Sequence, residues 1–201
     1  GLMKTIMLLI VTGILILNAP GCGMVRKGSD ISGRCRQTAL SGRDLGRLAI
    51  LVRMSRDGDI PNAAEKEEAA ARAATEALTA QGTATVLPAD SLVTSLALPW
   101  PDAGDAELAA AARASGIDTV AVLTVTEYTG KLHLGLPALW GTETSYRYEL
   151  RVLDVKTGDL LLDARRFGQR GGPFLIRGLD DLHADFQNDL TELVNGDPAA
   201  S

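Results

Sequence analysis

The chain has 201 residues, 46% hydrophobic and 22% charged, the balance of an ordinary globular protein rather than of a polar chain that stays disordered. Twenty basic residues against 25 acidic ones leave a net charge of −5, which excludes the basic footprint that a nucleic-acid partner requires. Only two cysteines occur, so the chain is no disulfide-stapled mini-domain, and no period of about 20 to 50 residues marks a repeat array.

At the amino terminus Lys4 precedes an apolar run, Ile6 to Leu17, broken only by Thr12 and Gly13. This is the layout of an export signal. A spanning helix needs roughly 20 apolar residues, and Asn18, Pro20 and Gly21 stop the run short of that. Small residues then lead into Cys22, and the stretch ILILNAPGC resembles the lipobox of bacterial lipoproteins. The family favours Leu three places before the cysteine and Ala or Ser two places before; here stand Ala19 and Pro20. The resemblance implies acylation of Cys22 as the new terminus, and an anchor in the membrane, since several acyl chains hold firmly where one is marginal. It also implies the periplasmic face of the outer membrane, because Gly23, not the retaining Asp, follows the cysteine. The residues alone leave a second fate open, ordinary cleavage nearby with Cys22 a thiol or bridged to Cys35. Lys4 is the only charged side chain before Cys22, so its loss takes the net charge from −5 to −6.

Residues 22–42 are rich in Gly, Ser and Arg and read as a flexible tether between the signal, 1–21, and one domain, 43–195, with 196–201 a disordered tail. Leu48 to Met54 is a near-continuous apolar run, suited to a strand covered on both faces. Asn62, with Glu65 three places on, predicts the N-cap of an alanine-rich helix over 63–81 that closes at Gly82. A short strand at 83–87 and a short helix at 89–97 follow, then the two prolines of LPWPDAGD, then a helix over 106–115 ended by Gly116. IDTVAVLTVTEY predicts a buried central strand, with Val120 and Val122 on one face and Ala121, Leu123 and Val125 on the other. Beyond it Tyr146, Tyr148, Leu150 and Val152 alternate with Arg147, Glu149 and Arg151. The turn at Lys156 to Asp159 reverses the chain into Leu160 to Phe167, an antiparallel hairpin with one wet face. A closing helix over 179–194 carries Asp181, Asp185 and Asp189 four apart on what reads as its outer stripe. The order predicts an α/β domain, a mixed sheet with a parallel core and an antiparallel hairpin, packed by helices.

The stretches LAILVRM, ARASGIDTVAVLTVTEY and YRYELRVLDVKTGDLLLD, behind a lipidated tether, resemble a broad group of bacterial envelope proteins. It includes the curli secretion-channel lipoprotein, the lipoprotein activators of penicillin-binding proteins, and the amino-terminal domain of the Tol-system propeller protein. In that group a helix ending in A-x-x-x-G-[IV]-D enters a buried strand, here Ala112 to Asp118, and a D-x-x-T-G-[DE] turn joins later strands, here Asp154 to Asp159. The resemblance covers Leu48 to about Phe167 and implies a non-catalytic binding or assembly factor of an envelope complex, with an envelope protein as partner. The curli relative suggests an alternative, a subunit of an oligomeric outer-membrane secretion channel, and with it a homo-oligomer.

No catalytic residue stands out. KTG at Lys156 to Gly158 matches a motif of penicillin-binding enzymes, but no Ser-x-x-Lys nucleophile motif accompanies it. His133 and His183 show no metal-ligand spacing, and no phosphate loop or dinucleotide fingerprint occurs, so no metal or cofactor is expected. Two apolar stretches are costly without a contact function: Leu132, Leu134, Leu136, Leu139 and Trp140 within GKLHLGLPALWG, and Leu98 with Trp100 in LALPWP. They serve as a protein or bilayer contact, or they fold back to complete the core. Arg165, Arg166, Arg170 and Arg177 form a basic strip suited to lipid phosphate, peptidoglycan or an acidic partner, or a solvated edge that discourages strand pairing.

Overall fold

A computed structural model describes residues 24–31, 40–55, 60, 62–80, 84–87, 102–135 and 139–196. The elements are β1 (Met24–Ile31), β2 (Gly46–Met54), α1 (Ala63–Thr79), β3 (Ala84–Leu87), α2 (Asp105–Ala114), β4 (Thr119–Gly135), β5 (Leu139–Asp154), β6 (Leu160–Gly171) and α3 (Leu179–Asn195). The short helix expected at 89–97, and Trp100 beyond it, lie outside the described residues.

The strands form one sheet in the order β1-β6-β5-β4-β2-β3. β2 runs parallel to β3 and β4, while β4, β5, β6 and β1 pair antiparallel in succession. The mixed α/β sheet is therefore the one the residues predict, with the antiparallel part larger than a single hairpin.

Strand alternation sorts two cores. Leu48, Ile50 and Val52 of β2, Ala121, Leu123 and Val125 of β4, and Tyr146, Tyr148, Leu150 and Val152 of β5 face α1 and α3. On the other face Ala49, Leu51, Val120 and Val122 meet Leu108 and Ala112 of α2. The α1 stripe is Ala70, Ala73, Ala74, Ala77 and Leu78, small enough to lie close on the sheet, whereas α3 contributes Leu182, Phe186, Leu190 and Leu193. Each fully buried Leu or Phe contributes about 1.5–3 kcal/mol. Phe186 meets the rings of Tyr128, Tyr146 and Tyr148 edge-on, at centroid distances of 5.2–5.6 Å. Gly168 of β6 makes room for this cluster, because a Cβ there would run into the Tyr146 ring.

The helix ends follow local chemistry. The Gly104 N–H donates to Glu107 Oε2 at 3.0 Å and the Gly178 N–H to Asp181 Oδ2 at 2.8 Å, starting α2 and α3. α2 ends where Gly116 turns left-handed at φ 66°, letting the Ile117 N–H reach Ala112 O at 2.9 Å. Asn62 departs from the expected N-cap: it is itself left-handed, at φ 55°, and its side chain caps nothing. Asn tolerates that backbone, and its carbonyl still accepts the Lys66 N–H at 3.2 Å. In the hairpin turn, Asp154 Oδ1 accepts the N–H groups of Lys156 and Thr157 at 2.9 and 3.1 Å.

Two readings of the sequence change. Met24–Ile31, inside the expected tether, is an edge strand along β6, from Met24 opposite Gly171 to Ile31 opposite Ala164. Its polar composition suits an edge whose outer row of backbone groups faces water. GKLHLG, read as part of a connection, continues β4, and β5 already begins at Leu139. Leu132 lies opposite Thr142 and Leu134 opposite Trp140. β6 stops at Gly171, opposite Glu143, and β2 stops at Met54, opposite Val125, so the tip of β4 and β5 extends past both neighbours as a two-stranded ribbon.

Candidate interaction surface

Met24, Gly171, Glu143 and Lys131 form one row across β1, β6, β5 and β4. Past this row lie the ribbon tip and the loop from β6 to α3. Six large apolar residues are exposed among the described residues: Val25 beside the row on β1, Leu132 and Leu134 on the ribbon, Phe174 and Ile176 in the loop, and Leu179 at the start of α3. All six gather at this one end. Leu134 and Ile176 leave 78% and 71% of their surface in water, an arrangement that marks a contact site. Leu136 lies outside the described residues, and Leu139 and Trp140 belong to β5 by backbone alone.

The loop is held in place. The Thr142 N–H donates to Leu175 O at 2.8 Å, the Leu175 N–H to Gly172 O at 3.2 Å, and the Arg177 N–H to Thr142 Oγ1. Gly141 lets the Gly172 carbonyl approach where a Cβ would block it. Phe174 keeps an unfavourable φ of 62°, which persists only because these bonds over-determine the loop. The apolar side chains are thus displayed from a fixed frame. Sequence reading found Leu132 and Leu134 but not Phe174, Ile176 or Leu179; the signal was PFLI set between Gly172 and Gly178.

Beside this end is a groove of about 360 Å³ lined by Asn62, Lys66, Lys131, Leu132, Arg177 and Leu179 among others. Lys66 is only 6% exposed. Its Nζ donates to Tyr128 O at 3.0 Å and lies 5.9 Å from the centre of the Tyr128 ring. Burial lowers its pKa below the ordinary lysine value, with the neighbouring Glu65 charge opposing. Among the described residues it has no carboxylate partner.

The arginines do not form one solvated strip. Arg166 is buried and donates from Nη1 to Asp189 Oδ1 at 3.2 Å, while Tyr148 donates to Asp189 Oδ2 at 2.7 Å. Arg170 and Arg177 both pair with Asp185. Arg165 points to the opposite face and pairs with Glu149 at 3.1 Å. The aspartates of α3 are correspondingly not an outer stripe: Asp181 holds the helix start, Asp185 binds the two arginines, and Asp189 is buried against the sheet. Asp185 and Asp189 face β5 and β6, where the cations they neutralise stand. Burial raises the Asp189 pKa, opposed by Tyr148, Arg166 and Lys27.

His183 shares a hydrogen bond between its Nδ1 and the Tyr128 hydroxyl, and burial holds the Tyr128 pKa above the ordinary phenol value. Among the described residues no three His, Cys, Asp or Glu side chains cluster as metal ligands.

No protein-family model matches the chain, and no curated protein matches it. Solved structures do resemble it. A PelC dodecamer from Paraburkholderia phytofirmans is 18% identical over 86% of this chain and 98% of that one, with a TM-score of 0.46. The LpoB C-terminal domain from Escherichia coli is 21% identical over 67% of this chain and 87% of that one, at 0.40. Lipoprotein GNA1162 from Neisseria meningitidis is 18% identical over 61% and 78%, at 0.34. They fall within the group that the sequence resembles, and the likeness is one of fold.

Proposed function

We propose that the chain is a lipid-anchored, non-catalytic binding and assembly factor of the bacterial cell envelope, held at the periplasmic face of the outer membrane by Cys22 with its apolar end on the bilayer. One observation carries this reading: Met24 stands in the row beyond which the exposed apolar residues gather. Cys22 is two residues from Met24, a reach of at most about 7 Å. An acyl anchor there brings Leu132, Leu134, Phe174 and Ile176 to the lipid surface, where apolar side chains add to a covalent anchor. The opposite end of the sheet, with the Asp154 turn and α2, is left to a protein partner. The channel alternative finds less support, since membrane strands of about 9 to 11 residues are needed and Leu139–Asp154 is engaged between β4 and β6.

Two measurements test it. Intact mass spectrometry of the protein from native membranes, beside Cys22→Ser, should give a chain starting at Cys22 plus acyl groups, lost on substitution. In proteoliposomes carrying Trp100→Phe, brominated lipids should quench Trp140 fluorescence. An unmodified soluble chain removes the anchor; an anchored chain whose Trp140 is not quenched removes the bilayer contact and makes the apolar end a protein-docking face.

A further inference from the structure

We propose that the polar pocket enclosed by β1, β6 and the middle of α3 binds a single neutral sugar ring, with the Tyr146 hydroxyl on its floor as the anchoring donor. This site is independent of the lipid anchor and of the bilayer contact proposed above.

Tyr146 is 4% exposed, and its hydroxyl is one of two buried side-chain polar groups without a partner among the described residues. A buried hydroxyl without a partner is costly, and proteins keep few of them. This one is fixed in place: Phe186 meets its ring edge-on at 5.6 Å, and Tyr148 stacks beside it at 6.2 Å. Gly168 lies against it, where a Cβ would come within 2.4 Å of the hydroxyl oxygen. Both residues line a pocket of about 180 Å³, so the hydroxyl opens onto a space that a larger residue at 168 would intrude on. Burial first, and then the charges of Asp189, Asp185 and Glu192, hold the Tyr146 pKa above the ordinary phenol value, which keeps the group a donor.

The walls are polar and their charges cancel. Strand alternation turns Val25 and Lys27 of β1 and Arg170 of β6 toward α3, which presents Asp185, Asn188 and Glu192 from one stripe. Lys27 Nζ meets Glu192 Oε2 at 3.2 Å, and Arg170 Nη1 meets Asp185 Oδ1 at 3.4 Å. A charged ligand would have to break one of these pairs, whereas a neutral one leaves both intact. The pairs keep hydrogen-bonding capacity, because a carboxylate accepts at about four lone-pair sites and the cations retain unspent N–H donors. Asn188 adds a group that both donates and accepts. Hydroxyl groups, each donor and acceptor at once, match such a lining, and Val25 offers an apolar edge to the C–H side of a ring. The volume equals that of about six waters at ~30 Å³ each, room for one sugar ring and not for two.

The isotope-labelled chain is titrated with the methyl glycosides of glucose, galactose and N-acetylglucosamine while its amide resonances are followed. Methyl glucosaminide and methyl glucuronide serve as charged counterparts, and glycerol as a plain polyol. Saturable shifts at Lys27, Gly168, Gln169 and Asn188 are expected with at least one neutral glycoside, about tenfold weaker with the charged ones. Tyr146→Phe should weaken that binding about fivefold while the urea midpoint stays unchanged or rises, a combination that a purely structural role would not produce. Asn188→Ala, at an exposed position, should weaken it about threefold, and Lys156→Gln, at the far end, should change nothing. No saturable shift at these amides with any neutral glycoside overturns the site, as does binding at parent strength by Tyr146→Phe. Equal shifts with glycerol mean an adventitious additive only, and equal binding of the charged sugars overturns the neutral ligand. Chitotriose separates the two sources of a sugar ring: binding at least as tight as that of the single ring assigns the end of a glycan chain, and its exclusion assigns a free sugar.

Discussion

Replacing Arg166 with Met tests what locks α3 to the sheet. The side chains of Arg166 and Asp189 are 4% and 2% exposed, and they meet at 3.2 Å. Without the guanidinium, Asp189 keeps only the Tyr148 hydroxyl at 2.7 Å and Lys27 at 3.9 Å. Removing one partner of a buried pair costs about 3–5 kcal/mol, a large part of the roughly 5–15 kcal/mol that stabilises a domain. The loss should depend on pH. The folded pKa of Asp189 already lies above its ordinary value because burial outweighs its partners. Such a group contributes stability that is fully present below the unfolded pKa of about 3.9 and lost as pH rises through the folded value. Taking away Arg166 raises the folded value further and extends that loss upward, by up to about 1.4 kcal/mol per pH unit. Urea unfolding followed by circular dichroism should therefore show Arg166→Met trailing the parent slightly near pH 5 and heavily near pH 8. Arg166→Met with Asp189→Leu should recover most of the loss, since no charge is left buried. A loss below about 1 kcal/mol at both pH values, or a larger loss in acid, would refute the reasoning.

The neighbouring tyrosines should part company in the same assay. Tyr148→Phe removes the donor to Asp189 and should cost about 1–2 kcal/mol, whereas the Tyr146 hydroxyl is buried without a partner, so Tyr146→Phe should be neutral or stabilising by up to ~1 kcal/mol. Gly168→Ala forces a methyl against the Tyr146 ring and should lower stability by about 1–3 kcal/mol, seen as a lower thermal midpoint. Leu134→Ser with Ile176→Ser should leave urea stability within ~0.5 kcal/mol; a collapse would mean that these exposed side chains complete a core.

The middle of the fold was legible because burial on two faces writes itself into strand alternation. Val120 and Val122 against Ala121, Leu123 and Val125 assign both cores of β4 by alternation alone. β1 was not legible, since MVRKGSDI gains its place from backbone pairing with β6, a partner about 140 residues away that local composition does not encode. The ribbon tip failed for a related reason: Pro137 with Gly130, Gly135 and Gly141 read as a loop, while the alternation of Lys131 and His133 with Leu132 and Leu134 was a strand signal over only four residues.

For the site, the better signal was a charge placed inside an apolar helical stripe. Asp189 is three residues after Phe186 and seven after Leu182, on the buried face of α3. Lys66 is four before Ala70 and precedes the buried alanines of α1 in the same way. Sequence spacing marks both as buried charges, and neither spacing tells what compensates them. The fold answers for Asp189, because β6 brings Arg166 and β5 brings Tyr148 to it. For Lys66 the opposing strand supplies a carbonyl and a ring but no anion. Helices of equal length on the same sheet face thus carry one buried charge that is balanced within the chain and one that is not, and the unbalanced one lines the groove beside the apolar end. The first orients α3 on a sheet whose apolar core supplies the stability; the second leaves Lys66 held, among the described residues, by the carbonyl and ring of Tyr128 alone.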